Sequence, residues 1–303
     1  MTFNQLRTLV AVVQNGSITG AADELYLSQS AVSSSIYALR DELGIELFSK
    51  SGRNIEPTPA CLVLYKQAKV ILGMAEKAKI EAIATSDTKK RILRMASVTT
   101  AGEALLPRWI RSYIDSQSDV EIRSHVENRS RVFELLESHS VDLVIAGRPP
   151  LGMAFKTLAV RPHKLMLVAS ANSEIAKIYE AGGDVTSLLA RSTWLMREEK
   201  SGTRKSLEEL LDLLAISPRM LTIGSNVALR EAVALDIGVT LLSSDTVSTQ
   251  LEMGILKEIN VPPLPIVKQW HITSRDEDGV QAEIAANFAN HLIEHKFVSA
   301  LPS

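Results

Sequence analysis

The sequence predicts an α/β protein with an all-helical start, on three observations. Residues 17–39, SITGAADELYLSQSAVSSSIYAL, contain two helix starts separated by a tight turn. Leu64, Ala68, Ile71, Ala75, Ala78 and Ala82 follow a 4-3-4-3-4 spacing along one long helix. From Arg91 onward, strand patterns alternate with helical ones, which implies a parallel sheet with helices packed on it. The expected layout is a winged helix-turn-helix over residues 1–58, a linker helix over 59–90 and a two-lobed α/β region over 91–303.

The elements follow in order. Phe3, Leu6, Val10 and Val13 are expected to form the buried face of the first helix, which Gly16 can end. Ser17 and Ser28 are good N-cap residues, each followed by an apolar helical pattern. Ala21, Ala22 and Leu25 are small or apolar, as two closely crossing helices require. After Ser28, Val32, Ile36, Leu39 and Leu43 form one apolar stripe. The opposite face carries Gln29, Ser30, Ser33, Ser34 and Tyr37, the short polar groups a helix presents to base edges in a major groove. A plain core hairpin of two amphipathic helices would read the same way. The next residues favour DNA. Leu43 to Phe48 closes the helix and enters a short strand, Ser51-Gly52-Arg53-Asn54 is turn chemistry, and Ile55 to Pro59 returns as a second strand. Arg53, at the tip of this wing, is placed for a phosphate or minor-groove contact.

Phe3–Cys61 resembles the DNA-binding domain of LysR-type transcriptional regulators. The matching residues are Gly16-Ser17-Ile18, Ala21-Ala22, Leu25, Leu27 to Ser33, Leu39, Leu43-Gly44, Leu47-Phe48, Arg53 and Thr58-Pro59-Ala60. The chain departs from that pattern at Ser30, where a proline is usual, and at Ser34, where an arginine is common. Arg40 and Cys61 also differ, standing where glutamate and glycine are common. The Ser34 difference removes a phosphate or base contact, so the operator sequence does not carry over. The resemblance implies double-stranded promoter DNA as a partner and self-association as a homodimer or homotetramer.

Composition agrees with such a regulator and limits the alternatives. The 303 residues are 46% hydrophobic and 22% charged, enough for sizeable cores in more than one domain. No basic segment leads into an apolar run, and no uninterrupted apolar stretch approaches about 18 residues. A cytoplasmic protein without membrane contact is therefore expected. With Cys61 as the sole cysteine, an intrachain disulfide and a thiol metal cluster are excluded. Net charge runs against DNA binding: residues 1–60 hold Arg7, Arg40, Lys50 and Arg53 against Asp23, Glu24, Asp41, Glu42, Glu46 and Glu56. The helix N-termini at Ser17 and Ser28 offer amide groups to phosphates, and a dimer doubles the domains presented.

The long helix at 59–88 has two readings. Its spaced seam can pair with a second copy, as the resemblance implies, or pack on its own domain. Beyond a polar boundary at 85–90, strands are read at 92–97, 120–126, 142–146, 165–169, 194–197, 221–224, 239–243 and 269–273. Helices are read at 103–116, 130–138, 202–214, 227–235 and 280–295. Residues 155–162 and Pro262-Pro263-Leu264-Pro265 are expected as crossovers between lobe I (91–160 and 266–303) and lobe II (161–265). This arrangement resembles the periplasmic-binding-protein-like effector domain of the same family.

A cleft between such lobes lies at strand C-termini and helix N-termini, where anions bind readily. Ser97, Thr99 and Thr100 follow the first strand, and Asn128 follows the second. Arg197, Ser201 and Thr203 follow a strand of the second lobe, with Arg148 after another strand of the first. Hydroxyls, amides and arginines of this kind suit a carboxylate or phosphate, so a small anionic metabolite is the expected effector. Each position alone is equally consistent with ordinary helix capping. The run Val141 to Pro150, with Asn128-Arg129 before it, resembles the regulators of RuBisCO and Calvin-cycle operons, which sense phosphorylated metabolites or a reduced nicotinamide nucleotide.

No cofactor or metal is expected. Only His291 and His295 share a helical i,i+4 spacing, with no carboxylate to complete a metal triad, and no nucleotide fingerprint or nucleophile elbow appears. Three function classes are weighed. A ligand-responsive transcription factor explains both halves of the chain. A solute-binding protein leaves the helix-turn-helix unexplained, and a cleft enzyme lacks a visible nucleophile or base.

Overall fold

The computed structural model describes residues 1–51, 54–85, 91–117 and 119–301. The chain divides into two compact units, residues 1–89 with 135–141, and residues 90–134 with 142–303.

The first unit begins with α1 (Phe3–Asn15), α2 (Ile18–Leu25) and α3 (Gln29–Leu43). Each helix is capped by the hydroxyl before it. Thr2 forms a reciprocal capping box with Gln5, Ser17 accepts the Gly20 amide and Ser28 accepts the Ala31 amide. α1 and α3 end on Gly16 and Gly44, both left-handed at φ 63° and 66°, where a side chain would be strained. Strands β1 (Phe48–Ser51) and β2 (Asn54–Pro57) pair antiparallel as the wing, and α4 (Pro59–Thr85) follows.

Packing revises three expectations in this unit. α1 is covered by α2 and α3 on one side and α4 on another, so its buried residues are Leu6, Thr8, Leu9, Ala11 and Val12. Phe3 is instead 54% exposed, and Val10 and Val13 lie at the core margin. Leu43 is exposed because the chain leaves the helix at Gly44. The 64–82 stripe is divided: Ala68 is buried in the unit's own core with Leu64 and Ile71 packed against it, whereas Ala78 and Ala82 face outward. The linker helix is thus anchored to its own domain over its first half.

The remaining elements begin with β3 (Arg91–Val98), α5 (Thr99–Ala104), α6 (Leu106–Ser116), β4 (Val120–Glu127), α7 (Arg129–Glu137) and β5 (Leu143–Ala146). Next come β6 (Phe155–Ser170), α8 (Glu174–Glu180), α9 (Thr186–Arg191), β7 (Thr193–Met196), α10 (Gly202–Leu213) and β8 (Arg219–Thr222). The chain closes with α11 (Asn226–Ala234), β9 (Thr240–Ser243), α12 (Ser244–Glu252), β10 (Leu256–Glu258), β11 (Ile266–Arg275) and α13 (Val280–Glu294).

The main sheet has the order β10-β6-β11-β5-β3-β4, with β9 also paired to β6. β3 runs parallel to β4 and β5, but β6 and β11 run antiparallel to their neighbours, so the expected parallel sheet is mixed. The cause lies in the crossovers. The crossover at residues 155–162 is extended chain, the first half of the 16-residue β6, paired with β11 from Leu165↔Ile266 to Phe155↔Arg275. The cores stay separate on either side of this ribbon. One gathers Leu93, Met95, Trp109, Leu143, Ile272 and Phe288, and the others draw on Leu167, Trp194 and Leu210, and on Val168, Leu229 and Leu242. Four elements were not anticipated: α8, α9 and β10 are too short to carry a periodic pattern, and α12 buries only Val247, which leaves no apolar stripe to read. The helix expected at 103–116 is two helices, because Leu105 departs from ideal helical φ at −111° and Pro107 stands at the start of α6.

Gly102 seats α5 on the sheet. A Cβ there would meet Ser97 Oγ at 2.6 Å and Val126 Cγ2 at 2.8 Å. Gly102→Ala is expected to cost about 1–3 kcal/mol by overpacking, with part recovered in Gly102→Ala/Ser97→Ala, as measured by denaturant unfolding.

Candidate functional site

The second unit contains a cavity of about 590 Å³ between the ends of β3, β4 and β5 on one lobe and the start of α10 on the other, floored by β6 and β11. The sequence places turns with hydroxyls and arginines at each of these strand ends, so the chain's own connectivity brings them to one place. Thr99, Thr100, Asn128, Arg148, Arg197, Ser201 and Thr203 all line the cavity. Ser97 does not. It is fully buried beneath Gly102, and its Oγ has no hydrogen-bond partner among the described residues.

The lining is cationic. Arg129, Arg148, Arg197, Lys205 and Lys268 face two acids, Glu127 and Glu198, in a chain of net charge −2. Of these, Arg129 is the one with a buried, unspent donor among the described residues. It opens α7, its Nη2 donates to the Arg148 carbonyl at 2.6 Å, and its guanidinium lies 5.1 Å from the Phe133 ring centre. Its Nη1 is buried with no partner among the described residues, and burial pulls its pKa below the usual arginine value. Asn128 Oδ1 accepts the Arg131 amide and caps the same helix. Arg197, by contrast, is already satisfied: it donates twice to Glu198, at 2.7 and 2.8 Å, and once to Asn226. On the opposite wall Ser201 precedes α10 without a side-chain cap bond, leaving the start of this 12-residue helix facing the cavity.

The floor was not legible as a site. His163 stacks on Trp270, with ring centres 3.9 Å apart and planes at 8°. Trp270 Nε1 donates to Asp245, which also receives both terminal nitrogens of Arg161 at 2.8 Å. Lys268 Nζ donates to Ser206 Oγ at 2.5 Å. Burial pushes His163 from 6.5 down to about 4, with Asp245 opposing and the charges of Arg161 and Lys268 adding to the fall. His271 is lowered as well, first by burial and then by Arg148 and Arg129. Arg161, His163, Lys268, Trp270 and His271 come from the two paired strands, and a signal for them existed only in the pairing of the crossover segments; Asp245 and Ser206 reach them from α12 and α10.

In the first unit, Gln29, Ser30, Ser34 and Tyr37 are exposed along one face of α3, with Ser33 half-buried. Ser17 and Ser28 spend their hydroxyls on capping, and Ser28 Oγ lies 2.9 Å from Ser30 Oγ. The Tyr37 ring has the Arg40 guanidinium 5.0 Å from its centre, and Arg40 in turn pairs with Asp41 at 2.7 Å. Tyr26, in the turn before α3, is 95% exposed and was not anticipated. Arg53 lies outside the described residues.

Comparison with known proteins agrees with both halves. Residues 3–62 match the family model for bacterial regulatory helix-turn-helix proteins of the lysR family, and residues 86–296 match the LysR substrate binding domain. The chain is 30% identical over 279 residues to the RuBisCO operon transcriptional regulator of Allochromatium vinosum, covering 91% of this chain and 90% of that protein. It is 31% identical over 282 residues to the HTH-type transcriptional regulator CbbR of Rhizobium meliloti, covering 91% and 87%. Full-length OxyR from Pseudomonas aeruginosa shares the fold with a TM-score of 0.65 at 19% identity, over 97% of this chain and 95% of that one. The regulatory domain of Synechocystis PCC6803 CcmR, solved in complex with 2-PG, gives a TM-score of 0.60 at 24% identity, over 68% and 97%. Among the described residues no helix is long and apolar enough to cross a membrane.

The buried histidine gives a pH signature. Unfolded chains take up a proton at His163 near pH 6.5 while the native state resists it to about 4, so this residue's contribution to stability is lost as pH falls through that window. Denaturant titrations at several pH values are expected to show a shallower loss of stability on acidification for His163→Gln than for the parent.

Proposed function

The chain belongs to the LysR family of transcriptional regulators, and from that premise we propose that an anionic metabolite, bound in the cavity between its two lobes, sets its grip on promoter DNA. The observation that carries this is the cluster of five cationic side chains against two acids in the cavity of a net acidic chain, with the buried Nη1 of Arg129 unpartnered among the described residues. Arg129 and Arg148 hold the charged group, and the hydroxyls of Thr99, Thr100, Ser201 and Thr203 hold the rest. A ligand touching both lobes binds one arrangement of them better than another, and that difference shifts the population. The 2-PG complex of CcmR makes 2-PG the first compound to try. Arg129→Gln is expected to weaken 2-PG binding roughly tenfold or more by calorimetry, with thermal stability retained. Binding equal to the parent's would remove Arg129 from the site.

The α3 face reads the operator in this account. Gln29 bonds a base edge, Ser30, Ser33, Ser34 and Tyr37 flank it, and Arg53 touches the backbone or minor groove. Ser17 and Ser28 act through the helix N-termini they cap. Two copies pair along the outward half of α4, around Ala78 and Ala82, so that two domains engage DNA together. Gln29→Ala is expected to cost about 1–3 kcal/mol on the operator and little on random DNA in gel-shift titrations. Equal losses on both would assign Gln29 to backbone contact.

A further inference from the structure

We propose that Asn226 and Arg197 are positioning residues that fix the polarity of the Thr100 hydroxyl, so that the cavity offers a hydrogen-bond donor there and accepts only an acceptor group of the effector. The inference rests on the cavity being the effector site. Its basis is the donor and acceptor inventory of three buried side chains: Arg197 is 3% exposed, Asn226 2% and Thr100 7%.

Arginine can only donate, so the atom of Asn226 that meets Arg197 Nη1 is the carbonyl oxygen. That fixes the amide orientation, and Asn226 Nδ2 then points to the other lobe. There it donates to Glu103 Oε2 at 2.9 Å and to Thr100 Oγ1 at 3.3 Å. Glu103 independently requires the same orientation, since a carboxylate only accepts. Thr100 Oγ1 therefore accepts from Asn226 and keeps its own proton for another acceptor. Among the described residues that hydroxyl has no other hydrogen-bond partner, and it faces the cavity. The three bonds run head to tail, from guanidinium to amide to hydroxyl to ligand, and each polarises the next.

This gives Arg197 a role different from that of a direct anion partner. Its Nε and Nη2 are held by Glu198, so its charge is compensated where it stands. Its effect on the ligand passes through Asn226 and Thr100. The relay also crosses between the lobes. Asn226 opens α11, beside Leu229 and Val233 of one core, while Thr100 and Glu103 lie on α5, beside Ala101 and Leu105 of the other. A ligand oxygen at Thr100 thereby strengthens a bond that ties the two lobes together.

The test uses the full-length protein and inorganic phosphate as the probe, titrated by calorimetry. Thr100→Val is expected to lose roughly tenfold or more in affinity and Thr100→Ser to stay near the parent. Asn226→Asp separates polarity from packing, because the shape is kept while the donor becomes an acceptor. Thr100 then turns its proton toward the new carboxylate, and phosphate affinity is expected to fall by a similar factor. Compared with the parent at each pH, so that the titration of phosphate itself cancels, the variant's affinity should approach the parent's as pH is lowered and the introduced carboxyl protonates. Thermal melts of each variant report folding, and Thr100→Val alone keeps the test open if Asn226→Asp fails to fold. Parent-like affinity in Thr100→Val, or a loss in Asn226→Asp that does not respond to pH, overturns the relay while Arg129→Gln still weakens binding. No phosphate binding by the parent, or binding that Arg129→Gln leaves unaltered, overturns the effector site itself, and the relay with it.

Discussion

Only the antiparallel ribbon of β6 and β11 carries backbone between the two sets of hydrophobic core in residues 91–301. Packing within each lobe is dense and apolar, as interiors are, and resists deformation. Among the described residues the polar contacts across the gap include Asn226 to Thr100 and Glu103 on one side, and Lys268 to Ser206 with the Arg161–Asp245–Trp270 cluster at the ribbon. A domain arranged this way is stiff inside each lobe and responsive between them. Small differences in what fills the cavity can then bias lobe geometry.

The same constraint explains the chemistry of the cavity. Every strand that ends there leads into a helix or turn, so backbone amides and capping side chains converge without any dedicated loop. Five cations against two acids then give the cavity lining a charge opposite in sign to that of the whole chain. Arg129 is the clearest case, since its buried Nη1 has no hydrogen-bond partner among the described residues. Neutral His163, held low by burial and stacked on Trp270, adds no charge of its own to the floor near neutral pH.

Local signals were readable and long-range ones were not. Ser17, Ser28, Gly16 and Gly44 announced the helix-turn-helix because caps act within one turn of the chain. Thr99, Asn128 and Ser201 were legible for the same reason, each lying where a strand pattern gives way to a helical one. His163, Lys268 and Trp270 belong to strands whose partners are about a hundred residues away, and their pairing has no local signature. Arg197 was legible as a charge at a strand end, but its commitment to Glu198 and Asn226 depends on packing. Phe3 misled because helical periodicity marks an apolar stripe without saying which neighbours cover it.

The central claim is that an anion held between Arg129 and the start of α10 links the effector to the lobes. A crystal structure of the full chain grown with 2-PG tests it most directly. The account predicts ligand density inside the cavity, within hydrogen-bond distance of Arg129 Nη1 and of groups at the α10 N-terminus. Ordered ligand outside this cavity, or inside it without contact to Arg129, would contradict the account.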